Sequence, residues 1–130
     1  MKKIISVLFV ILIAFSLIGC STYTSSYKAM MLITSQDSDS AEISFSSFEG
    51  TKVFTMRSDN FNGVLEYKAY VADGTAIVSI DCDGTKTELF KIAAGETVRS
   101  SAPVGKGTVY IIIETIGKCK NGSFEFDIDD

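Results

Sequence analysis

The clearest pattern in this chain is the stretch TVYIIIETIGKCKNGSFEFDID, which spans residues 108–129. Its first part, 108–116, carries apolar side chains on both alternating faces, which favours a central strand that is covered on both sides over part of its length. Its last part alternates strictly, because Phe124, Phe126 and Ile128 are separated by acidic residues. An apolar–polar period of two is typical of a half-buried β-strand. The stretch therefore predicts a β-sheet protein.

The same alternation runs through residues 41–107, where turn signals interrupt it. We expect turns at residues 49–50, 73–74 and 83–84 and in the polar segment 117–122, because glycine supplies the positive φ that tight turns require. No segment after residue 20 has the 3.6-residue period of an amphipathic helix. The predicted fold is all-β: a single two-sheet β-sandwich of about eight mostly antiparallel strands, preceded by a signal-peptide helix.

The N-terminus follows a different pattern. Lys2 and Lys3 precede an uncharged, apolar run at residues 4–18. As a helix this run is about 22 Å long, whereas a membrane span needs about 20 apolar residues. A short basic segment followed by a short apolar one is typical of a secretory signal peptide. The run ends in Leu-Ile-Gly-Cys at residues 17–20, where a small residue directly precedes a cysteine.

Residues 17–20 resemble the bacterial lipobox. The resemblance implies that the Cys20 thiol receives a diacylglyceryl group with palmitate-type acyl chains, and that cleavage falls between Gly19 and Cys20. The alternative is a signal anchor with an ordinary cysteine, which the agreement of charge, length, small residue and cysteine disfavours. We therefore expect an extracytoplasmic protein that is lipid-anchored to the cell membrane, its partner there being the bilayer that holds acylated Cys20.

The expected organisation has three parts. Residues 1–19 form the lipoprotein signal peptide, residues 20–40 form the lipidated cysteine and a tether, with a first strand near 28–34 as an option, and residues 41–130 form the β-sandwich domain. Removal of 19 of the 130 residues leaves 111, which is enough for one domain. The loss of two lysines moves the formal charge from −4 to −6. An acidic domain disfavours nucleic acid as a partner, since phosphate binding requires cationic side chains.

The chain contains neither histidine nor tryptophan. The missing histidine excludes histidine-based triads, histidine general bases and histidine-ligated zinc. The missing tryptophan removes the aromatic side chain best suited to stacking on sugars. We therefore expect no cofactor and no enzymatic activity.

Two cysteines remain once Cys20 is acylated. Cys82 and Cys119 are a candidate disulfide, because disulfides persist outside the cytoplasm. The alternative is a pair of buried free thiols, which are common in protein cores. Both cysteines are expected at strand ends near the edge of the core, where a bridge requires Cα atoms within about 7 Å.

Asp81, Asp83 and Glu88 are weak candidates for a calcium site. A calcium loop supplies six or more oxygen ligands at fixed positions, and this segment is too short to do so. A strand end followed by an Asp-Gly hairpin turn explains the same residues. No bound metal is expected.

Three segments carry a resemblance to a known group of proteins. They are EGTKVF at 49–54, GTVYIIIE at 107–114 and NGSFEF at 121–126. Together they resemble small uncharacterised β-sandwich lipoproteins of Gram-positive bacteria, chiefly Firmicutes, over most of residues 41–130. The resemblance implies a lipobox, a serine-rich spacer and one sandwich domain, and it brings no catalytic motif.

The function expected from these observations is a non-catalytic binding or interaction module, with an unknown protein or glycan as its partner. A carbohydrate-binding module is the first alternative, and it predicts a coplanar row of exposed tyrosine or phenylalanine side chains on one sheet face. An enzyme is the least favoured alternative, and it requires a deep pocket that holds a carboxylate pair or a metal.

Overall fold

The computed structural model describes residues 23–82 and 84–129, and within them the chain is all-β, as predicted. The elements are β1 (Ser26–Met30), β2 (Ile33–Gln36), β3 (Ser40–Ser58), β4 (Gly63–Asp81), β5 (Lys86–Ile92), β6 (Thr97–Val104) and β7 (Gly107–Asp129). No helix in this part of the chain is long and apolar enough to cross a bilayer. The predicted signal-peptide helix, the cleavage site at Gly19 and the lipid site at Cys20 lie outside the described residues.

Every strand pairing is antiparallel. The three long strands lie side by side in the order β3-β7-β4. The short strands β1 and β2 both pair with β3 on one side, and β5 and β6 both pair with β4 on the other. One continuous sheet therefore has two short strands along each edge.

The long strands fold back on themselves. A straight strand of the length of β3, 19 residues, would extend for about 60 Å. Instead, the carbonyl of Ser38, just before β3 begins, accepts a hydrogen bond of 2.7 Å from the Arg57 amide near its end. The neighbouring Asp39 carbonyl accepts one of 2.8 Å from the Ile128 amide of β7. The sheet is therefore bent so that its two halves face each other.

We name the two halves layer A and layer B. Layer A contains β2, residues 40–48 of β3, 119–129 of β7, 63–73 of β4, and β6. Layer B contains residues 51–58 of β3, 107–116 of β7, 75–81 of β4, and β5, while β1 lies beside the bend of β3. The two-sheet sandwich is confirmed. Between residues 23 and 129, in the part that the structure describes, the sandwich has seven strands, because three of them pass through both layers.

Three expected turns are instead bends inside continuous strands. Residues 49–50 lie within β3, 73–74 within β4 and 117–122 within β7, and the register shifts fall at these places. At Gly74, φ is +97° and a Cβ atom would lie 2.7 Å from the Cα of Cys119. A side chain there would prevent β4 and β7 from approaching at the bend. The chain does reverse between Asp81 and Lys86, which pair across β4 and β5.

One hydrophobic core fills the space between the layers. Phe54 of layer B packs on Phe126 of layer A with ring centroids 6.5 Å apart. Tyr67 of layer A stacks on Phe90 of layer B at 5.1 Å. Each fully buried side chain of this size stabilises the fold by about 1.5–3 kcal/mol. The largest buried core side chains are Phe48, Phe54, Phe124, Ile43, Met56, Leu65, Ile92, Ile111 and Ile113.

The segment expected to be a tether contributes to the sheet. Residues 26–36 contain β1 and β2, which pair with β3 over nine registered positions between Ser26↔Thr51 and Gln36↔Ala41. Leu32 and Ala29 pack against the core. The ordered domain therefore includes strands that precede residue 41.

Candidate functional site

The outward face of layer A is an open polar surface, which we call the open face. Side chains alternate between the core and solvent along each strand, and the pairing register aligns the outward residues of five strands in rows. The first row contains Ser35, Glu42, Glu125, Lys68 and Arg99. The second contains Ser40, Asp127, Glu66 and Ser101. These two rows line a cleft of about 660 Å³.

A third row lies beside the first, towards the bend, and it carries no charged residue. It contains Ile33, Ser44, Ser123, Tyr70 and Thr97. Tyr70 is 39% exposed and Ile33 is 70% exposed. Since the two serines between them are small, they leave a shallow floor bordered by one aromatic ring. Two residues of strand separate adjacent rows, which is about 7 Å.

Like charges lie opposite one another on the open face. Glu42 is paired in register with Glu125, and Glu66 with Asp127. Like charges directly opposite across strands destabilise a sheet by roughly 0.2–1 kcal/mol. The first row also places Lys68 opposite Arg99. Acidic and basic side chains thus occupy separate halves of this row.

The ion pairs recorded among residues 23–82 and 84–129 lie elsewhere. Arg57 pairs with Asp59 at 3.3 Å, and Lys86 of layer B pairs with Glu114 at 2.7 Å. None of the charged side chains in the two charged rows takes part in these pairs. The open face therefore presents its charges to solvent.

The structure does not contain the candidate disulfide between Cys82 and Cys119, since it leaves both thiols unbonded. Cys119 lies at the bend, where its thiol donates a hydrogen bond of 3.4 Å to the carbonyl of Thr75. Cys82 lies seven residues after Thr75 in the sequence, just beyond the end of β4. Seven extended residues span about 20 Å, which is far beyond the reach of a bridge. In the structure the two cysteines are free thiols, the alternative that the sequence left open, with Cys119 buried and Cys82 half-buried.

The two weak metal candidates that the structure describes, Asp81 and Glu88, are not paired with each other across β4 and β5. The buried Asp81 carboxylate accepts hydrogen bonds from the Tyr23 hydroxyl at 2.5 Å and from the Gly84 amide at 2.8 Å. Glu88 is exposed and lies opposite Ser79. Asp83 lies outside the described residues. In the described parts of the chain, no three side chains of the ligating types form a group that could hold a metal ion.

The coplanar aromatic row that a carbohydrate-binding module would require is not found in residues 23–82 and 84–129. Tyr70 is the one aromatic side chain in the three rows of the open face. Phe61 is in the loop between β3 and β4, and Tyr27 stacks on Phe48 beside the bend, with ring centroids 5.1 Å apart. The exposed aromatic residues therefore lie in three separate places.

Sequence reasoning did not identify the open face. The outward positions of the last strand, including Glu125 and Asp127, are evident from its alternation. Their grouping with Glu42, Glu66 and Lys68 depends on the register between strands that are distant in sequence. The available signal was a polar side chain at every second position of the predicted strands.

No protein-family model matches the sequence, and no curated protein matches it. Several solved β-structures resemble its fold. TmCBM61 in complex with beta-1,4-galactotriose has a TM-score of 0.48 and 12% identity, with 81% of this chain and 87% of that chain covered. The PliG periplasmic inhibitor of g-type lysozyme from Aeromonas hydrophila has a TM-score of 0.49 and 13% identity, with coverage of 73% and 90%.

A third similar structure is a carbohydrate binding module of lichenase 5A from Cellvibrio mixtus in complex with cellotriose. Its TM-score is 0.43 and its identity is 11%, with 81% of this chain and 89% of that chain covered. At these identities and scores, the three structures transfer neither a ligand nor a binding site to this chain.

Proposed function

We propose that this chain is a lipid-anchored extracytoplasmic lipoprotein whose domain is a non-catalytic binding module, and that the open face of layer A is its binding surface. The observation that carries this proposal is the alignment of outward residues in three rows across four or five strands, with like charges left opposite each other in the two charged rows. Such pairs lower the stability of the sheet. A ligand that neutralises them offsets this cost, and binding surfaces commonly retain residues that are unfavourable for stability.

The charge pattern indicates the kind of ligand. The first row has acidic residues, Glu42 and Glu125, on one half and basic residues, Lys68 and Arg99, on the other. A peptide segment or polymer that carries both signs of charge would complement this row. Because the face is open and its charges are exposed, electrostatic complementarity would contribute mainly to specificity and association rate.

A glycan ligand is the second candidate, and Tyr70 favours it. Its exposed ring lies next to Ser123 and one row from Lys68 and Glu125. A sugar can stack on an aromatic face while its hydroxyl groups bond to neighbouring carboxylate, ammonium and serine groups. One ring supports a weaker platform than the coplanar row of aromatic side chains that the carbohydrate-binding alternative predicts.

The same geometry supports a non-catalytic role. Acid catalysis by paired carboxylates requires that burial raise the pKa of one of the two carboxyl groups. The four carboxylates of the open face are exposed, and the chain has no histidine to act as a general base. The carboxylate of the buried Asp81 already accepts hydrogen bonds from the Tyr23 hydroxyl and the Gly84 amide.

Ligand retention by variants tests the binding surface. The domain is immobilised, and isolated envelope glycan and an envelope protein extract are passed over it separately. Lys68→Ala and Glu125→Gln should each reduce retention of the ligand, whereas Lys91→Ala on β5 of layer B is the matched control. Tyr70→Ala should abolish retention only where the ligand is a glycan. Equal retention by all variants would reject the open face as the binding surface.

The anchor has its own test. Cys20→Ser removes the thiol that the acyl transfer requires, so the variant should leave the membrane fraction or accumulate with its signal peptide uncleaved. Mass spectrometry of the mature wild-type N-terminus should show an acylated Cys20. Unchanged membrane retention with normal cleavage in Cys20→Ser would contradict the lipoprotein assignment.

A further inference from the structure

Three apolar side chains are exposed where β1 joins β2, and we call them the apolar edge. Met30, Met31 and Ile33 are 65%, 79% and 70% exposed. Met31 has a φ of 53° and lies between the two strands. Leu32 turns the other way and packs against the core. The chain thus directs three of four consecutive apolar residues away from the domain.

The apolar edge belongs to strands at the margin of the sheet. Among the described strands, β1 and β2 pair with β3 alone. An exposed edge strand that carries apolar side chains favours association with another surface, and a contiguous exposed apolar group marks an interaction site. Lys28 of β1 is the one charged residue on these two short strands.

Charge favours a membrane as the occupant. Residues 23–36 contain Lys28 and no acidic residue, whereas the mature chain carries a formal charge of −6. The acidic residues are thus confined to the rest of the domain, which an anionic bilayer surface would repel. The segment that contains the apolar edge carries the opposite sign.

The position of Tyr23, the first described residue, also favours a membrane as the occupant. The Tyr23 hydroxyl is bonded to Asp81, so the described chain begins on the outer surface of layer B. Cys20 precedes Tyr23 by three residues, and three residues reach at most about 11 Å. From there β1 continues along β3 to Met30. A bilayer that holds acyl chains on Cys20 would therefore meet the side of the domain from which β1 leads to the apolar edge.

We propose that the apolar edge inserts into the interface of the bilayer to which Cys20 is anchored. Methionine and isoleucine side chains partition into the boundary between head groups and acyl chains, and Lys28 contacts anionic head groups. This inference rests on the proposed lipid anchor. The sheet then stands with its β1–β2 edge on the membrane, and β6 with Arg99 lies on the side away from it. Ile33 is also the β2 end of the third row of the open face, so the bilayer covers that end, while the two charged rows and Tyr70 stay accessible from the envelope.

The absence of tryptophan from the chain permits a direct test. Met30→Trp introduces a single reporter at the apolar edge, and Phe61→Trp introduces one in the loop between β3 and β4, where the native side chain is 78% exposed. Each full-length variant is processed in the host, purified in detergent and reconstituted into anionic phosphatidylglycerol vesicles. A second set of vesicles contains lipids brominated in their acyl chains.

We expect the Met30→Trp emission to shift to shorter wavelength in vesicles and to lose intensity with brominated lipid. The Phe61→Trp emission should change in neither respect. Ile33→Trp serves as a second reporter and should behave like Met30→Trp, which covers the case of a misfolded first variant. A protein that floats with the vesicles while both edge reporters remain unquenched would overturn the insertion and leave the anchor intact.

Two other outcomes also reject the proposal. A shift without quenching, together with a chemically crosslinked dimer, would assign the apolar edge to a second copy of the chain. A protein that lacks the acyl mass on Cys20 and does not float with the vesicles would overturn the anchor itself, and the insertion with it.

Discussion

The hydroxyl of Tyr23 donates a hydrogen bond of 2.5 Å to a carboxylate oxygen of Asp81, across 58 residues of sequence. The Tyr23 ring also packs on Tyr110, with ring centroids 5.2 Å apart and an interplanar angle of 57°. Asp81 is only 4% exposed, and its second oxygen accepts the Gly84 amide. This contact fixes the first described residue of the chain to the outer surface of layer B.

Loss of the Tyr23 hydroxyl should destabilise the domain. Tyr23→Phe removes one donor from a buried carboxylate, and hydrogen bonds to charged groups contribute about 1.5–3 kcal/mol. The unfolding free energy from urea denaturation should fall by an amount in or below that range. Tyr27→Phe is the matched control, since no hydrogen bond is recorded from its hydroxyl within the described residues. Equal effects of the two substitutions would contradict a specific role for the contact.

Two glycines with nearly equal φ allow the stability cost of backbone strain to be distinguished from the cost of steric crowding. Gly74 and Gly84 have φ values of +97° and +94°. A Cβ atom at Gly74 would lie 2.5 Å from the Lys118 carbonyl oxygen, whereas nothing lies within 4 Å at Gly84. Gly84→Ala should cost about 1–3 kcal/mol of stability through backbone strain. Gly74→Ala should cost about 1–3 kcal/mol more through overpacking.

Thermal and urea denaturation of the two alanine variants would measure that difference. A Gly74→Ala protein as stable as Gly84→Ala would show that β4 and β7 can separate at the bend without cost.

The buried thiol predicts a loss of stability at alkaline pH. Burial raises the pKa of Cys119 above its ordinary 9.0, the nearby Asp73 charge raises it further, and these effects outweigh a lowering contribution from the Thr75 backbone. Below the unfolded pKa, both states hold the proton, so this contribution is fully present. As pH rises towards the folded pKa, the unfolded chain loses its proton first and the unfolding free energy falls.

Urea midpoints in reducing buffer at several alkaline pH values would detect this fall. Cys119→Ala should flatten it, although the cavity lowers stability at every pH. The control Val78→Ala leaves a cavity in the same core but keeps the Cys119 thiol, so it should keep the wild-type slope. Parallel curves for wild type and Cys119→Ala would refute the assignment.

The like-charge pairs predict opposite effects on stability and binding. Glu42→Gln removes the repulsion with Glu125, so stability should rise by roughly 0.2–1 kcal/mol. The gain should shrink with added salt, because exposed charges are screened. Retention of the ligand should fall in the same variant. Glu88→Gln, whose partner in register is Ser79, is the control and should change neither quantity. A destabilised Glu42→Gln would reverse the interpretation of the open face.

The alternation of side chains allowed much of the fold to be predicted. Phe124, Phe126 and Ile128 are buried as the pattern predicts, since a half-buried strand requires apolar residues at every second position. The glycine-containing segments were correctly placed as changes of direction, but three of them bend a strand instead of ending it. A glycine with positive φ serves a bend as well as a turn, and local sequence does not distinguish them.

The sequence by itself determined the all-β class, the sandwich, the polarity of each outward position and the expectation of a lipid anchor at Cys20. These depend on local composition and on a period of two. Only the tertiary structure decided which outward positions lie side by side, because register is set by pairing between distant strands. It placed Glu42 opposite Glu125, separated Cys82 from Cys119 along an extended strand and brought Tyr23 to Asp81. Each of these relationships arises where long strands bend and return, which no local pattern specifies.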